Sequence, residues 1–417
     1  MKQIFALIVS IFITLLTLNF SSVNVDAFKR NLTKNIETSQ NAFLQNQTVV
    51  GSEVLINYNG ETVYSKSFGT RTVGGEALKG NELYRLCSMT KPITAVALLM
   101  EYQKGNLDIF KNVSDYLPQF KDMKIENKDG SLKKNITPIK VYQLVSHTSG
   151  LGGIDKVNEM SVYNDMMADK VPFSYEEVAN RLSKCNLGFR PGTDRAYSTI
   201  GFDVAARIIE ITSGKKFEDY IKENIFDKLG MVDTTFEPTA EQWKRTVALT
   251  GLSADGKAYD VENKGEYVFA GFPSSFHLAG GSLVSTASDY MKFARMLLND
   301  GVGDNGVRIL NKEMVKIMST PVSDEMRFGI ISMMQRWGLG VRVIVGPGKT
   351  IPIGSFGWSG AYGSHFWVDK KNNIVGVYMR SSTHDGADVS SIIAQVEKDV
   401  MKALKESKKM INNELDN

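Results

Sequence analysis

A hydroxyl and an amine stand three residues apart in Arg85-Leu86-Cys87-Ser88-Met89-Thr90-Lys91-Pro92-Ile93-Thr94, at the opening of an apolar run that reaches Met100. On a helix, positions i and i+3 share a face with Cβ atoms about 5–6 Å apart, so the Lys91 amine reaches back to the Ser88 oxygen. A serine hydroxyl is a weak nucleophile until a neighbouring base takes its proton. A lysine whose pKa has been pushed down by burial is such a base. The helix N-terminus adds a positive field and free N–H groups. The spacing alone is a weak signal, because it recurs at Ser131…Lys134 and Ser213…Lys216 in Gly/Lys-rich connectors. The plain alternative at Ser88 is a helix-capping serine with Lys91 in solvent.

An activated serine also needs a proton shuttle for the leaving group, an oxyanion hole and a wall that positions the substrate. Tyr197 is the candidate shuttle, on the loop Arg190-Pro191-Gly192-Thr193-Asp194-Arg195-Ala196-Tyr197-Ser198-Thr199 just before a helix. Taken alone, a tyrosine there more often packs at a helix start. Phe356-Gly357-Trp358-Ser359-Gly360-Ala361-Tyr362-Gly363 offers small residues on a strand edge, against which a substrate can lie. The N–H of Ala361 is placed to join that of Ser88 around an oxyanion.

Together these segments resemble the penicillin-recognising serine hydrolases, a group that includes class C β-lactamases, D,D-peptidases and, above all, the family VIII carboxylesterases. Ser88-Met89-Thr90-Lys91 is similar to the first motif of that family, Tyr197-Ser198-Thr199 to the second, and Trp358-Ser359-Gly360 stands in the place of the third. The strings Leu144-Val145-Ser146-His147-Thr148-Ser149-Gly150-Leu151 and Gly280-Gly281-Ser282-Leu283-Val284-Ser285-Thr286 add to the resemblance, which spans residues 45–400 or so. It implies catalytic roles for Ser88, Lys91, Tyr197 and Ala361, and substrate contacts from Thr199, Trp358, Ser359 and Gly360.

The chain departs from the lactamase pattern at two places. Trp358 stands where a Lys or His usually opens the third motif, and Thr199 where an Asn usually closes the second. A cation at the first place would pair with a substrate carboxylate. Trp358 presents an apolar face instead, and Thr199 lacks the NH₂ donors of Asn. Both changes imply a carboxylesterase acting on small uncharged esters. The rival readings are a β-lactamase or D-amino-acid peptidase and, outside catalysis, a penicillin-binding or sensor domain that acylates without turnover.

The elements that must hold these residues follow from pattern. Residues 28–47 read as an outer helix, and Val50 to Gly69 as two strands joined by Asn59-Gly60, the strongest short hairpin signal. From Ser88 to Gly230 the chain is mainly helical, with Gly214 and Gly230 closing amphipathic helices. Residues 120–136 read as a surface loop and 155–170 as an aperiodic segment over the site. Strand signals return at 338–345, 365–369 and 374–380, and residues 388–408 make a closing helix. The expected fold is α+β, of the β-lactamase/transpeptidase type: an antiparallel sheet built from both termini and flanked by helices, with an inserted helical lobe. The α/β lobe takes residues 28–87 and 280–417, the helical lobe residues 88–279.

Composition narrows the partners. The 417 residues carry a net charge of only +3 and no Lys/Arg block, which excludes nucleic acid. The four histidines (His147, His277, His365 and His384) show no zinc spacing, and there is no C-x-x-C, so neither metal nor cofactor is expected. His147 and Asp289 read as structural, and Met333, Met334 and Trp337 as core, with one wall of the pocket as the alternative. Lys2, the apolar run Ile4 to Leu18 and Val25-Asp26-Ala27 read as a secretory signal over residues 1–27, with cleavage after Ala27 and a secreted or periplasmic protein; uncleaved, the same segment is a membrane anchor. Cys87 and Cys185 can pair after export, although the apolar context of Cys87 favours a buried free thiol. The partner is a small ester or amide.

Overall fold

The computed structural model describes residues 23–152, 157–261, 275–322, 334–347, 350–385 and 390–415; the apolar N-terminal run and Met333 lie outside them. Helix α1 (Val25–Gln45) is capped by the Asn24 side chain, which accepts from the Ala27 N–H at 2.9 Å. It starts three residues earlier than the sequence suggests, with Ala27 and Phe28 buried. Strands β1 (Gly51–Tyr58) and β2 (Glu61–Gly69) follow. Asn59 and Gly60 take φ values of 51° and 88°, the left-handed pair that a tight hairpin of this hand requires.

Helix α2 (Thr90–Gln103) is buried on every side from Thr90 to Glu101, which makes it the axis of the protein. Its polar members are satisfied internally: Glu101 accepts from Tyr220 Oη at 2.7 Å, Lys104 Nζ at 3.0 Å and Asn106 Nδ2 at 2.9 Å. Helix α3 (Ile200–Ser213) packs on α2 and ends at Gly214 in the left-handed conformation. Helix α4 (Ala287–Leu298) leads to strands β3 (Gln335–Trp337), β4 (Arg342–Ile344), β5 (Phe356–Ser359), β6 (His365–Asp369) and β7 (Ile374–Arg380), and to the closing helix α5 (Ser391–Leu415).

The main sheet has seven strands in the order β2-β1-β7-β6-β5-β4-β3. All its pairings are antiparallel, and β1 lies beside β7 from Ser52↔Arg380 to Tyr58↔Ile374, so both ends of the chain build one sheet, as the sequence implies. Side-chain alternation divides the core into two layers. Val54, Ile56, Trp367 and Tyr378 face α1 and α5, while Leu55, Phe366, Val375 and Val377 face α4 and the helical lobe.

Four segments differ from expectation. Residues 120–136 contain a hairpin, Lys124–Glu126 paired with Leu132–Lys134, which the high charge of the stretch hides. Val157–Ala168 is a helix within the supposedly aperiodic segment; Val162, Tyr163 and Met166 are buried, and Tyr163 Oη donates to Asp203 Oδ2 at 2.6 Å. The single strand expected over 338–345 is a two-strand turn, β3 and β4, folded at Gly340. Phe217–Leu229 is interrupted by a π-helical turn over Lys222–Phe226.

Candidate active site

Ser88 sits in a 3₁₀ turn, Cys87–Met89, that runs directly into α2. Cys87 adopts φ 48°, a left-handed conformation uncommon for a non-glycine residue. The turn is held on several sides. Leu86 N–H donates to Leu283 O at 2.9 Å, Ser364 Oγ donates to Leu86 O at 3.0 Å, and Tyr290 Oη donates to Met89 O at 2.8 Å. Ser88 Oγ receives two donors, Lys91 Nζ at 3.3 Å and Tyr197 Oη at 2.7 Å.

Lys91 is wholly buried, and its amine donates to neutral oxygens: Gly280 O at 2.7 Å and Thr199 Oγ1 at 3.2 Å, besides Ser88. It also lies 4.7 Å from the centre of the Tyr197 ring and 5.3 Å from that of Phe202. Thr199, expected at the substrate, therefore spends its hydroxyl on holding Lys91. Sequence reasoning took Gly280 only as part of a familiar string. Its carbonyl reaches the amine because a Cβ at Gly280 would meet Thr199 Cγ2 at 2.9 Å and Lys91 Nζ at 3.2 Å. The Gly280-Gly281 pair was the available signal.

Tyr197 is presented by a loop that His147 pins: Ala196 N–H donates to His147 O and Ser198 N–H to His147 Nδ1, each at 3.0 Å. The two rings pack at a tilt of 32°, with centroids 4.5 Å apart. The structural role expected for His147 thus lies one residue from the candidate shuttle. Asp289 is structural as well, accepting from Asp233 N–H at 2.7 Å. On the far side, Trp358 Nε1 donates to Tyr197 Oη at 3.3 Å. Trp337, read from sequence as core, packs edge-on to Trp358 at 4.4 Å and lies 4.3 Å from His147, so an aromatic wall surrounds the phenol.

Strand β5 brings in the remaining segment, and alternation separates its residues. Trp358 faces Tyr197, whereas the Ser359 side chain points through the opposite face of the sheet. There its hydroxyl shares a 2.9 Å hydrogen bond with His365 Nδ1, and His365 Nε2 lies 3.2 Å from Glu397 of α5. The expected substrate contact from Ser359 is corrected accordingly, since a period of two puts neighbouring side chains on opposite faces. Gly360 lets the strand end pass the nucleophile turn: any Cβ there would overlap the Leu86 carbonyl oxygen and Ser364 Oγ. Ala361 follows at the exposed end, and its N–H and that of Tyr362 lie near the Cys87 thiol, the residue before Ser88. Burial pushes the Cys87 thiol up to about 12, offset in part by these two N–H groups. Cys87 and Cys185 are both free thiols.

The structure thus brings Ser88, Lys91, Tyr197, Thr199, Trp358, Gly360 and Ala361 to one place. Ser131 and Ser213 are far from it along the chain, in an exposed hairpin and at a helix end. Among the described residues no group of three or more His, Cys, Asp or Glu is placed to hold a metal. The arrangement sets one hydroxyl between an amine and a phenol, each within hydrogen-bond distance of it.

Comparison with known proteins shows the family and the fold. A family described as Beta-lactamase matches residues 34–398. Esterase EstB of Burkholderia gladioli is 23% identical over 372 residues, covering 82% of this chain and 88% of its own. Penicillin-binding protein 4 of Amycolatopsis lactamdurans is 27% identical over 295 residues, covering 70% and 69%. Among solved structures, EstCE1, a hydrolase with promiscuous acyltransferase activity, superimposes with a TM-score of 0.74 at 20% identity, over 89% of this chain and 99% of its own.

Proposed function

This chain belongs to the β-lactamase family, and on that premise we propose that it is a serine carboxylesterase that forms an acyl-enzyme at Ser88 on small, uncharged esters. The observation that carries the proposal is the pair of donors on one oxygen, Tyr197 Oη at 2.7 Å and Lys91 Nζ at 3.3 Å. Ser88 attacks the ester carbonyl as its proton passes into the Lys91–Tyr197 pair. The N–H groups of Ser88 and Ala361 hold the developing oxyanion, and removing one such donor costs about 10²–10³ in rate. The tetrahedral intermediate collapses, its C–O bond breaks, and Tyr197 returns the proton to the departing alcohol. Water, deprotonated by the same pair, then releases the acid and restores Ser88.

The preference for a neutral ester rests on Trp358. Its indole stands against the phenol where a cation would recruit a carboxylate, and with Trp337 it makes an apolar wall. The similarity to esterase EstB supports the same choice. Export belongs to the proposal too and rests on Lys2 and the apolar run Ile4 to Leu18. A cut after Ala27 would remove the first turn of α1 and its Asn24 cap, so N-terminal sequencing of the exported protein tests this part directly.

One panel tests the function: p-nitrophenyl acetate and butyrate, nitrocefin and a D-Ala-D-Ala peptide, each with the wild type and Ser88→Ala. The short esters are expected to be the best substrates, with turnover abolished in Ser88→Ala. Nitrocefin turnover above ester turnover would replace the esterase reading with a lactamase. A burst that stops at one equivalent would replace it with a sensor domain.

A further inference from the structure

A second concave surface adjoins the Tyr197 loop. The Lys124–Glu126/Leu132–Lys134 hairpin and residues 188–196 enclose a groove of about 640 Å³. Its walls are fixed to each other, because Glu126 N–H donates to Leu187 O at 2.9 Å and Leu187 N–H to Lys124 O at 2.8 Å. Five cations line it (Lys128, Lys133, Lys134, Arg190 and Arg195) against two carboxylates, Glu126 and Asp194. Both carboxylates already accept hydrogen bonds, from Asn186 Nδ2 at 3.2 Å and from the Arg195 N–H at 2.8 Å. The whole chain carries only +3, so this groove concentrates positive charge that the rest of the surface balances. Lys128, Lys133, Lys134 and Arg190 form no ion pair among the described residues, whereas Arg181, Arg207 and Arg245 of the same lobe each engage a carboxylate. Ile136, 80% exposed, adds an apolar strip along the lining.

The groove's position gives it a use. Ala196 lines it, and the next residue, Tyr197, reaches Ser88 Oγ. One residue step, one tyrosine side chain and a 2.7 Å hydrogen bond link Ala196, on the groove's wall, to the reacting oxygen, so the two lie no more than roughly 13 Å apart. If Tyr197 delivers the proton to the departing alcohol, the alcohol half of the ester leaves on this side. We propose that the groove binds an anionic group, a phosphate above all, carried on the alcohol portion of the substrate within roughly 13 Å of the scissile bond. The inference rests on the esterase reading and refines it: the acyl side meets the neutral Trp358 wall, and the charge sits on the leaving group. Clefts lined by one sign of charge raise the local concentration of the opposite charge by about 10–10³, and the gain falls with ionic strength.

The test compares acetoxyhexyl phosphate with hexyl acetate by acetate release, using wild type and the double variant Lys133→Glu/Lys134→Glu, at low and high salt. Both substitutions are exposed on the hairpin, away from the catalytic groups. The wild type is expected to favour the phosphate ester by about tenfold in kcat/KM at low salt, through KM, and to lose the preference at high salt. The variant is expected to lose it at all salts while cleaving hexyl acetate at the wild-type rate. Equal preference in wild type and variant would overturn the groove assignment while leaving the esterase reading intact. Failure of the wild type to cleave either ester would instead refute the esterase reading. The groove is then judged by calorimetric binding of hexyl phosphate to both proteins, where equal affinity overturns it and tighter binding to the wild type upholds it.

Discussion

Replacing Gly360 by alanine probes the fit between the two halves of the site. The end of β5 passes so close to the nucleophile turn that the new Cβ would lie more than an ångström inside normal contact with the Leu86 carbonyl oxygen and with Ser364 Oγ. Leu86 cannot yield, since its own N–H is fixed to Leu283 O at 2.9 Å. The strand end must therefore move by about 1 Å, carrying the Ala361 N–H with it, and a misplacement of that size costs about 10² in rate. Overpacking also destabilises by about 1–3 kcal/mol, so a glycine-to-alanine control that costs stability without touching the site is needed. Gly354→Ala provides it, with φ 89° but nothing within 4 Å of the added Cβ. Both variants are purified, melted, and assayed on p-nitrophenyl acetate well below their melting temperatures. Gly360→Ala is expected to lose about 100-fold in kcat/KM, and Gly354→Ala to keep wild-type turnover. If Gly360→Ala stays within about threefold of its control, the claim that this contact sets the oxyanion donor is refuted.

Tyr197→Phe removes the hydroxyl that Ser88 and Trp358 share but keeps the ring against His147; kcat is expected to fall by about 10²–10⁴ with an unchanged melting temperature, and a drop under tenfold would remove Tyr197 from the proton path. Glu53 is buried in β1, and burial together with the Glu82 charge raises its carboxyl from 4.5 to about 7. A folded-state pKa above the unfolded value means the associated stability is whole below 4.5 and is lost as pH rises through 7. At 1.36 kcal/mol per unit this amounts to about 3 kcal/mol. Urea unfolding of Glu53→Gln is expected to lack that loss, and a pH dependence identical to wild type would contradict the assignment. Among the thiols, Cys87 is fully buried and pushed up to about 12, whereas Cys185 is only half-buried. A thiol reagent should therefore reach only Cys185 in the native protein, and rapid native reaction of both would show the Cys87 turn to be open.

Much of this was legible in the chain because the deciding signals are local. Asn59-Gly60 demands a tight hairpin, and Ser88-x-x-Lys91 places two groups on one helical face whether the turn is α or 3₁₀. What was not legible depends on tertiary contact. The hairpin at 124–134 has charged side chains on both faces, so its strands show no apolar alternation, and its pairing with Leu187 is invisible to a local pattern. The helix over 157–168 has apolar residues but no clear helical stripe of them, and it is held partly by a hydrogen bond to Asp203. Within the site, the motif Trp358-Ser359-Gly360 suggested three substrate contacts, but a strand sends alternate side chains to opposite faces, and Ser359 went to His365. The Gly280 carbonyl was missed because a backbone acceptor leaves no mark beyond residue size.

Trapping the acyl-enzyme tests the central claim most directly. Wild-type protein is mixed with p-nitrophenyl acetate, quenched in acid within the first turnover and measured by intact mass, then digested and mapped. One acetyl group is expected, carried by the peptide that holds Ser88, and none in Ser88→Ala under the same conditions. An acetyl group on any other residue, or steady turnover with Ser88 never modified, would contradict it.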